Sequence, residues 1–170
     1  AHAGGGGDVD ADGAGHAVAA AAAEIAGELT AVGVDDGLHL GREDGWIINI
    51  GEITMMKVGM VGVGCISGIY LKNFHEVFKD VQLVAVCDLI RERAEKAQAE
   101  FGVLKLYDTM EELFADPEID IVLNLTRPYQ HYAVSKAALL AGKHVYCEKE
   151  MSNRLELAAE MCRVQQETGK

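Results

Sequence analysis

A glycine-rich turn is the feature of this sequence with the clearest chemical use. Residues 59–68 read GMVGVGCISG, a variant of the pattern G-x-G-x-x-G with Ser67 in the third small position. Gly62 permits a tight turn, and Gly64 lets the backbone approach a diphosphate because no Cβ stands in the way. The free N–H groups at the start of the following helix would face that anion, although such a turn can also serve packing alone. The residues predicted to contact a dinucleotide here are Gly62, Val63, Gly64, Cys65 and Ile66.

A single acid follows the second predicted strand, where a bound dinucleotide would place a ribose. Asp88 ends the apolar run QLVAVCD. A carboxylate there accepts hydrogen bonds from ribose hydroxyls and repels a 2′-phosphate, which favours NAD over NADP. Arg91 and Arg93 follow closely and could hold that phosphate, so NADP stays open. Asp88 could instead cap the helix that follows it.

Two more loops carry polar residues at the same predicted edge. The loop after the fourth strand contains Thr126, Arg127 and His131, and its position puts it against the cofactor. We favour a capping or packing role for His131 over direct proton transfer. The loop after the fifth strand holds Glu148-Lys149-Glu150, where a lysine would reach toward the nicotinamide end. Taken alone, this charge run would indicate only a solvated loop.

Alternating strands and helices must position these loops. The predicted strands are Lys57–Val61, Gln82–Cys87, Leu104–Tyr107, Ile119–Leu125 and His144–Cys147. The predicted helices are Ile66–Phe78, Arg91–Phe101, a segment from a Thr109–Glu112 capping box to Asp116, Tyr129–Leu140, and a last one from a Ser152 cap to about Thr168. Near-continuous apolar strands separated by helices indicate a parallel sheet covered on both faces. We predict an α/β, doubly wound Rossmann sheet with strand order 3-2-1-4-5.

The first third of the chain differs in composition from the rest. Residues 1–55 hold twelve of the nineteen glycines, ten acids and a single base, Arg42. Ala14–Leu29 has the propensity for a helix, and Trp46–Ile50 could form a short strand. The segment is too poor in large apolar side chains to build a core of its own.

Three interpretations of this segment stay open. The segment is the tail of a fused upstream domain, or an appendage that packs on the Rossmann unit. In the third interpretation it is upstream DNA translated by mistake, and the true start is Met55 or Met56. We therefore predict an unrelated or disordered low-complexity segment at 1–55 and a dinucleotide-binding domain at 56–170. Both ends of the chain look cut.

Composition and charge restrict the classes of molecule that this chain is expected to bind. Apolar residues make up 49% and charged residues 25% of the chain, and no apolar run is long enough to span a bilayer. The net charge of −12 comes without clustered Lys and Arg, which argues against nucleic acid. We see no signal-peptide pattern. The spacing of the cysteines does not match a zinc site, so we predict no metal. We predict free thiols and a cytoplasmic location. The four cysteines are Cys65, Cys87, Cys147 and Cys162.

Several segments together resemble the glucose–fructose oxidoreductase/inositol dehydrogenase (Gfo/Idh/MocA) family. They are MKVGMVGVGCISGIYL, VAVCD, NLTRPYQHYAVSKAALLAGKHVYCEK and a closing helix that ends in TGK. The resemblance implies an NAD(P)-dependent oxidoreductase that moves hydride between a sugar or cyclitol hydroxyl and nicotinamide. It gives Lys149 the catalytic position, near both nicotinamide and substrate. It also implies cofactor contacts from Gly62, Gly64, Asp88, Thr126, His131 and Glu148, to which we add Arg127 and Lys149.

The resemblance also implies parts that this chain does not contain. Family members carry a C-terminal α/β domain that supplies most of the substrate pocket and through which they often associate. We therefore expect a truncated Rossmann domain that binds NAD, or NADP, without turning over substrate alone. In a complete protein we expect a sugar or polyol substrate and a homo-oligomer.

One position departs from the family pattern. The proline that follows the lysine in the family is Glu150 here, which removes a restraint on the loop and places a carboxylate beside the ammonium group. This departure motivates one alternative to a dehydrogenase, a non-catalytic dinucleotide-binding module. The family resemblance itself implies another, a glycosidase of the same fold that retains NAD.

Overall fold

Strands and helices alternate along residues 55–170, the part of the chain that the computed structural model describes. The strands are β1 (Met56–Val61), β2 (Val81–Cys87), β3 (Lys105–Tyr107), β4 (Ile121–Asn124) and β5 (His144–Cys147). The helices are α1 (Ser67–Glu76), α2 (Arg91–Phe101), α3 (Met110–Ala115), α4 (Pro128–Leu140) and α5 (Leu155–Thr168). The predicted helix at Ala14–Leu29 and strand at Trp46–Ile50 lie outside the described residues.

All five strands are parallel, in the order β3-β2-β1-β4-β5, which confirms the predicted doubly wound sheet. The register aligns the last residue of every strand in one row across the sheet: Tyr107, Cys87, Val61, Asn124 and Cys147. The loops that follow the strands therefore leave the sheet side by side. This alignment places the glycine turn and the other polar loops at one edge.

Alternation along β1 divides the core between the two faces of the sheet. Val58 and Met60 pack with α1 and α2, in a cluster that includes Tyr70. Val61 belongs to the cluster on the α3 and α4 side, with Leu113 among its members. Helix α5 packs on α4 through a smaller cluster. Of the helices in residues 55–170, none has both the length and the apolar character needed to cross a membrane.

Some strands and helices begin at other residues than predicted, because hydrogen bonds hold the preceding residues in turns. Strand β4 starts at Ile121 rather than Ile119, because the Ile119 N–H donates to the Asp116 carbonyl in the preceding turn at 3.2 Å. The prediction that Ser152 caps the last helix is wrong. Helix α5 follows an N-cap at Arg154 without a side-chain cap, and the Ser152 hydroxyl accepts from the Arg154 N–H at 3.2 Å, ahead of the helix.

Helix α3 begins with the predicted capping box. The Thr109 hydroxyl accepts from the Glu112 N–H at 3.2 Å, and Glu112 Oε2 accepts from the Thr109 N–H at 3.3 Å. Both bonds satisfy N–H groups that a helix start leaves without an intrahelical partner.

A group of linked charges lies at the amino-terminal edge of the sheet, away from the polar loops. The Lys105 ammonium donates to Asp116 Oδ2 at 2.7 Å and also to Glu118, while Lys143 donates to the carbonyls of Asp116 and Ile119 at 2.6 and 2.7 Å. Burial raises the pKa of Asp116, but hydrogen bonds led by that from Lys105 outweigh burial and hold the pKa at about 2. Because ligands of parallel α/β sheets bind at the carboxyl ends of the strands, we assign this network to stability.

We predict that Thr109→Ala lowers the free energy of unfolding by about 1 kcal/mol, because it removes the side-chain acceptor of a capping box. Ser152→Ala is the matched control, since its hydroxyl bonds outside a helix, and we expect a loss below about 0.5 kcal/mol. Urea unfolding followed by circular dichroism measures both. Equal losses would contradict the different capping roles.

Candidate cofactor site

The glycine turn is fixed by close contact with the loop after β4. Gly62 has a φ of +97°, in the left-handed region that favours glycine. A Cβ on Gly62 would lie 2.8 Å from the carbonyl carbon and oxygen of Leu125 and 2.9 Å from the Thr126 nitrogen. The Gly62 N–H also donates to the Cys87 carbonyl at 2.9 Å. The turn thus joins the ends of β1, β2 and β4.

On the other side of the turn, the missing side chain of Gly64 leaves space for a ligand. A Cβ built on it meets no described atom beyond its chain neighbours within 4 Å. Ser67, the predicted third small position, is buried and donates its hydroxyl hydrogen to the Gly64 carbonyl at 2.7 Å. Cys65 and Ile66 are exposed beside Gly64, and Ile66 is an N-cap without a side-chain cap. The helix start therefore presents N–H groups and a positive dipole end to an anion.

Asp88 lies against this turn, at the end of β2. Its Oδ2 accepts from the Val63 N–H at 2.6 Å, and its Oδ1 accepts from the Ile90 N–H at 2.7 Å. The second bond lies ahead of α2, whose N-cap Ile90 has no side-chain cap, so the alternative prediction that Asp88 caps this helix is wrong. The first holds the carboxylate beside the glycine turn, where the ribose prediction requires it. Each carboxylate oxygen has a second lone pair, so these two bonds leave acceptors for ribose hydroxyls.

The neighbourhood of Asp88 is negative. Burial first, and then the charges of Asp88, Glu111 and Glu112, raise the pKa of the Cys87 thiol to about 11. Glu111 and Glu112 belong to the first turn of α3. The end of β2 therefore disfavours additional negative charge, while the start of α1 favours it.

Asn124 organises the loop after β4. This side chain is fully buried, and its amide donates to the His131 carbonyl and the Ser135 hydroxyl, both at 3.0 Å. Its Oδ1 accepts from the N–H and the hydroxyl of Thr126, at 3.2 and 2.6 Å. Thr126 is thereby held at the sheet edge, next to the exposed Arg127 that is the N-cap of α4.

His131 connects two loops. The imidazole is only 2% exposed, its Nε2 lies 3.0 Å from the Thr126 carbonyl, and its Nδ1 lies 2.8 Å from the Glu150 carbonyl. Both ring nitrogens face protein carbonyls, of which a neutral imidazole can serve one as a donor. This geometry fits the packing role that we favoured for His131.

Glu148 ties the loop after β5 to helix α1. Its Oε1 accepts from the Tyr70 hydroxyl, its Oε2 accepts from the Lys149 N–H at 3.1 Å, and its own N–H donates to the Asn124 carbonyl at 3.2 Å. Burial, followed by the bond to Glu148, raises the pKa of Tyr70, so this hydroxyl keeps its proton. Burial also raises the pKa of Tyr146.

Lys149 and Glu150 lie at the exposed tip of this loop. The φ of Glu150 is +60°, the one positive φ among the described residues other than glycine. A proline ring fixes φ near −65°, so the backbone seen here excludes the family proline. The loop that carries Lys149 thus has its own conformation.

A match to a family model agrees with this geometry. Residues 56–170 match the Gfo/Idh/MocA model, described as an oxidoreductase family with an NAD-binding Rossmann fold. The chain belongs to this family. Membership confirms the predicted resemblance and the predicted NAD-binding Rossmann fold.

Two similar proteins are named as inositol dehydrogenases. The chain is 34% identical over 115 residues to the myo-inositol 2-dehydrogenase of Thermotoga maritima, covering 68% of this chain and 33% of that protein. It is 33% identical over 102 residues to the inositol 2-dehydrogenase/D-chiro-inositol 3-dehydrogenase of Lactiplantibacillus plantarum, covering 59% of this chain and 29% of that protein. The chain therefore spans about a third of the length of these relatives.

Solved structures of the family share the fold. The Lactobacillus casei myo-inositol dehydrogenase, in complex with NAD(H) and myo-inositol, has a TM-score of 0.64 at 28% identity and covers 66% of this chain and 34% of its own. A probable dehydrogenase from Thermotoga maritima has a TM-score of 0.64 at 30% identity, covering 67% of this chain and 34% of that one.

The structure thus brings the sequence-predicted residues to one edge, and it adds two that sequence reasoning missed. Tyr70 lies within the predicted helix Ile66–Phe78, and its hydroxyl needs a partner when buried. Asn124 lies within the predicted strand Ile119–Leu125, where an amide at the end of the apolar run IVLN signals a buried polar hub. Gly62, Gly64 and Asp88 meet at one end of the edge, and Glu148 and Lys149 at the other.

The two glycines are predicted to respond differently to a methyl group. Gly62→Ala should lower the free energy of unfolding by about 2 kcal/mol or more, because it adds backbone strain and a contact with Leu125. Gly64→Ala should change the unfolding free energy by less than about 0.5 kcal/mol. It should nevertheless weaken NADH binding about tenfold or more, since its Cβ stands where the diphosphate must approach. Urea unfolding and NADH fluorescence titration check both, and a Gly64→Ala variant with full affinity would exclude this placement.

Substitutions at Glu150 are predicted to separate backbone strain from charge. Glu150→Gly should raise the free energy of unfolding by about 1 kcal/mol, because glycine adopts a positive φ without strain. Glu150→Ala keeps the strain and removes the carboxylate, so its stability should stay within about 0.5 kcal/mol of the parent. Glu150→Pro should be the least stable of the series. Thermal unfolding ranks them, and a proline variant as stable as the parent would contradict the observed loop conformation.

Proposed function

We propose that this chain is the dinucleotide-binding part of an NAD-dependent dehydrogenase that acts on a hydroxyl-bearing carbon of a cyclitol or sugar. The observation that carries the proposal is the open backbone at Gly64, at the uncapped start of α1 and beside Asp88. These features fit a diphosphate and the adjoining ribose. The substrate class is inferred from the inositol dehydrogenases that the chain resembles at 33–34% identity.

Different residues at the carboxyl edge of the sheet would contact different parts of the cofactor. The backbone of Gly62, Val63, Gly64, Cys65 and Ile66 would hold the diphosphate. Asp88 would accept hydrogen bonds from the adenosine ribose, and Thr126 and Arg127, after β4, would contact the nicotinamide half. His131 would act indirectly, through the carbonyls of Thr126 and Glu150 that it touches. NAD, when bound, supplies the hydride acceptor.

Lys149 is the residue that we assign to the substrate. It is exposed at the carboxyl end of β5, and the Glu148 carboxylate fixes its backbone N–H. An ammonium group there would orient the reacting hydroxyl and stabilise the charge that develops as its proton leaves. Hydride transfer also requires that water be kept out, and nothing in the described residues encloses Lys149.

We infer that a second domain, outside these 170 residues, supplies the substrate pocket. This follows from the chain's share of its relatives' length, about one third. Sugar or polyol recognition and association into a homo-oligomer would then belong to that part. The four free cysteines suit a reducing compartment, so we place the protein in the cytoplasm.

A second function is favoured by one observation. The backbone at Glu150 differs from what the family proline would impose, which would suit a dinucleotide-binding module without turnover. NADP as cofactor and an NAD-retaining glycosidase are further alternatives. A glycosidase would copurify with tightly held NAD and release no net NADH, whereas a dehydrogenase would form NADH in proportion to oxidised substrate.

The proposal predicts separate outcomes for binding and turnover. The 170-residue chain should bind NADH, seen as a change in nicotinamide fluorescence, and should not oxidise inositols. The complete gene product should reduce NAD with a cyclitol or sugar. There Lys149→Ala should lower kcat about 100-fold or more, a far larger effect than on NADH affinity, as expected for loss of a group that assists proton transfer.

Lys72→Ala is the matched control, because Lys72 is an exposed lysine of α1 that pairs with Glu76. It should leave both kcat and NADH affinity unchanged. A complete protein that binds NADH and turns over none of a broad panel of polyols would overturn the dehydrogenase, and glycoside hydrolysis would then separate the glycosidase from the non-catalytic module.

A further inference from the structure

Arg91 is placed to decide between NAD and NADP. It is the first residue of α2, and the residue before it, Ile90, is bound through its N–H to Asp88 Oδ1 at 2.7 Å. Asp88 is where the proposed function puts the adenosine ribose, and the inference rests on that placement. In Rossmann sites that accept NADP, an arginine close to this acid holds the 2′-phosphate.

The guanidinium group of Arg91 is already engaged by two carboxylates. Its Nε donates to Glu95 Oε1 at 2.8 Å, one turn along α2. Its Nη1 forms an ion pair with Asp108 Oδ1. Arg91 is therefore held toward the end of β3 and not left free for a ligand.

Asp108 has a fixed place beside Asp88. Cys87 and Tyr107 are register partners at the ends of β2 and β3, so Asp88 and Asp108 follow neighbouring strands. The Asp108 N–H donates to Glu112 Oε2 at 3.2 Å, the same carboxylate that closes the capping box of α3. The backbone of Asp108 is thus anchored, and its carboxylate can hold Arg91 from a constant position.

The negative charge around the Arg91–Asp108 pair would repel the 2′-phosphate of NADP. Asp88, Asp108, Glu111 and Glu112 lie around the ends of β2 and β3. Burial first, and then the charges of Asp88, Glu111 and Glu112, raise the pKa of the Cys87 thiol. A 2′-phosphate would bring up to two more negative charges and would have to displace Asp108 from Arg91. The ion pair is exposed, with 55% and 64% of the side-chain surfaces accessible, so removing it should leave the fold intact.

We propose that Asp108 is a cofactor-specificity residue, which excludes NADP by holding the Arg91 guanidinium away from the position of the 2′-phosphate. Asp88 repels the phosphate directly, and Asp108 withholds the cation that would compensate. Because the 2′-hydroxyl of NAD needs no cation, the same contact leaves NAD binding unaffected.

The test measures NADH and NADPH binding to the full 170-residue chain by fluorescence titration, at one ionic strength, with circular dichroism as a check of folding. The parent should prefer NADH at least tenfold. Asp108→Asn should tighten NADPH binding about tenfold and change NADH binding less than twofold. The double variant Arg91→Ala with Asp108→Asn should lose that gain, because the cation that Asp108 releases is gone.

Glu92→Gln is the matched control, since it removes one negative charge from the first turn of the same helix and leaves the two carboxylate partners of Arg91 in place. NADPH affinity should stay within twofold of the parent. An equal gain in Glu92→Gln would overturn the proposal in favour of net charge, and a gain that survives in the double variant would assign the phosphate to Arg93 instead. A folded parent that binds NADPH as tightly as NADH would overturn only this inference, whereas one that binds neither would overturn the proposed function as well.

Discussion

The geometry of the carboxyl edge depends on the backbone of Gly62. Its φ of +97° turns the chain away from β1, and backbone atoms of Leu125 and Thr126 occupy the space that a side chain would need. Backbone atoms cannot rotate aside as a side chain can, so a larger residue would separate the two loops. The bonds from Gly62 to Cys87 and from Val63 to Asp88 then bring the end of β2 to the same point. One residue without a side chain thus sets the relative positions of three strand ends.

The other half of the edge is held by buried polar groups. Asn124, His131 and the Tyr70–Glu148 pair connect the loops after β4 and β5 with each other and with α1. Among the described residues, no buried side-chain nitrogen or oxygen lacks a hydrogen-bond partner. Hydrogen-bonded networks in a low-dielectric interior rigidify the groups they join. Tyr70 belongs to the helix whose start would face the diphosphate, so the diphosphate and lysine ends of the site share one support.

The sequence predicts the sheet well because its signals are local. Apolar runs between helical segments determine the strands, and the glycine turn and Asp88 then follow from strand order. The contacts that complete the site are not local: Tyr70 and Glu148 are 78 positions apart, and their meeting depends on register and helix placement. The same holds for Arg91 and Asp108, which belong to different strand–helix units. The Ser152 prediction failed for another reason: residue type favours a cap, but the extended backbone of Arg154, with φ −137°, sets where the helix begins.

The loop around Lys149 shows how a family restraint can be replaced. A proline after the lysine restricts the backbone on both sides of the peptide bond that joins them. Here the Glu148 carboxylate binds the Lys149 N–H on one side, and His131 contacts the Glu150 carbonyl on the other. The Glu148 and His131 side chains therefore contact the backbone on the two sides of this loop, and they in turn contact Tyr70 and Thr126. Hydrogen bonds restrain the loop in a conformation with positive φ that proline cannot adopt, so the absence of proline does not by itself leave Lys149 unpositioned.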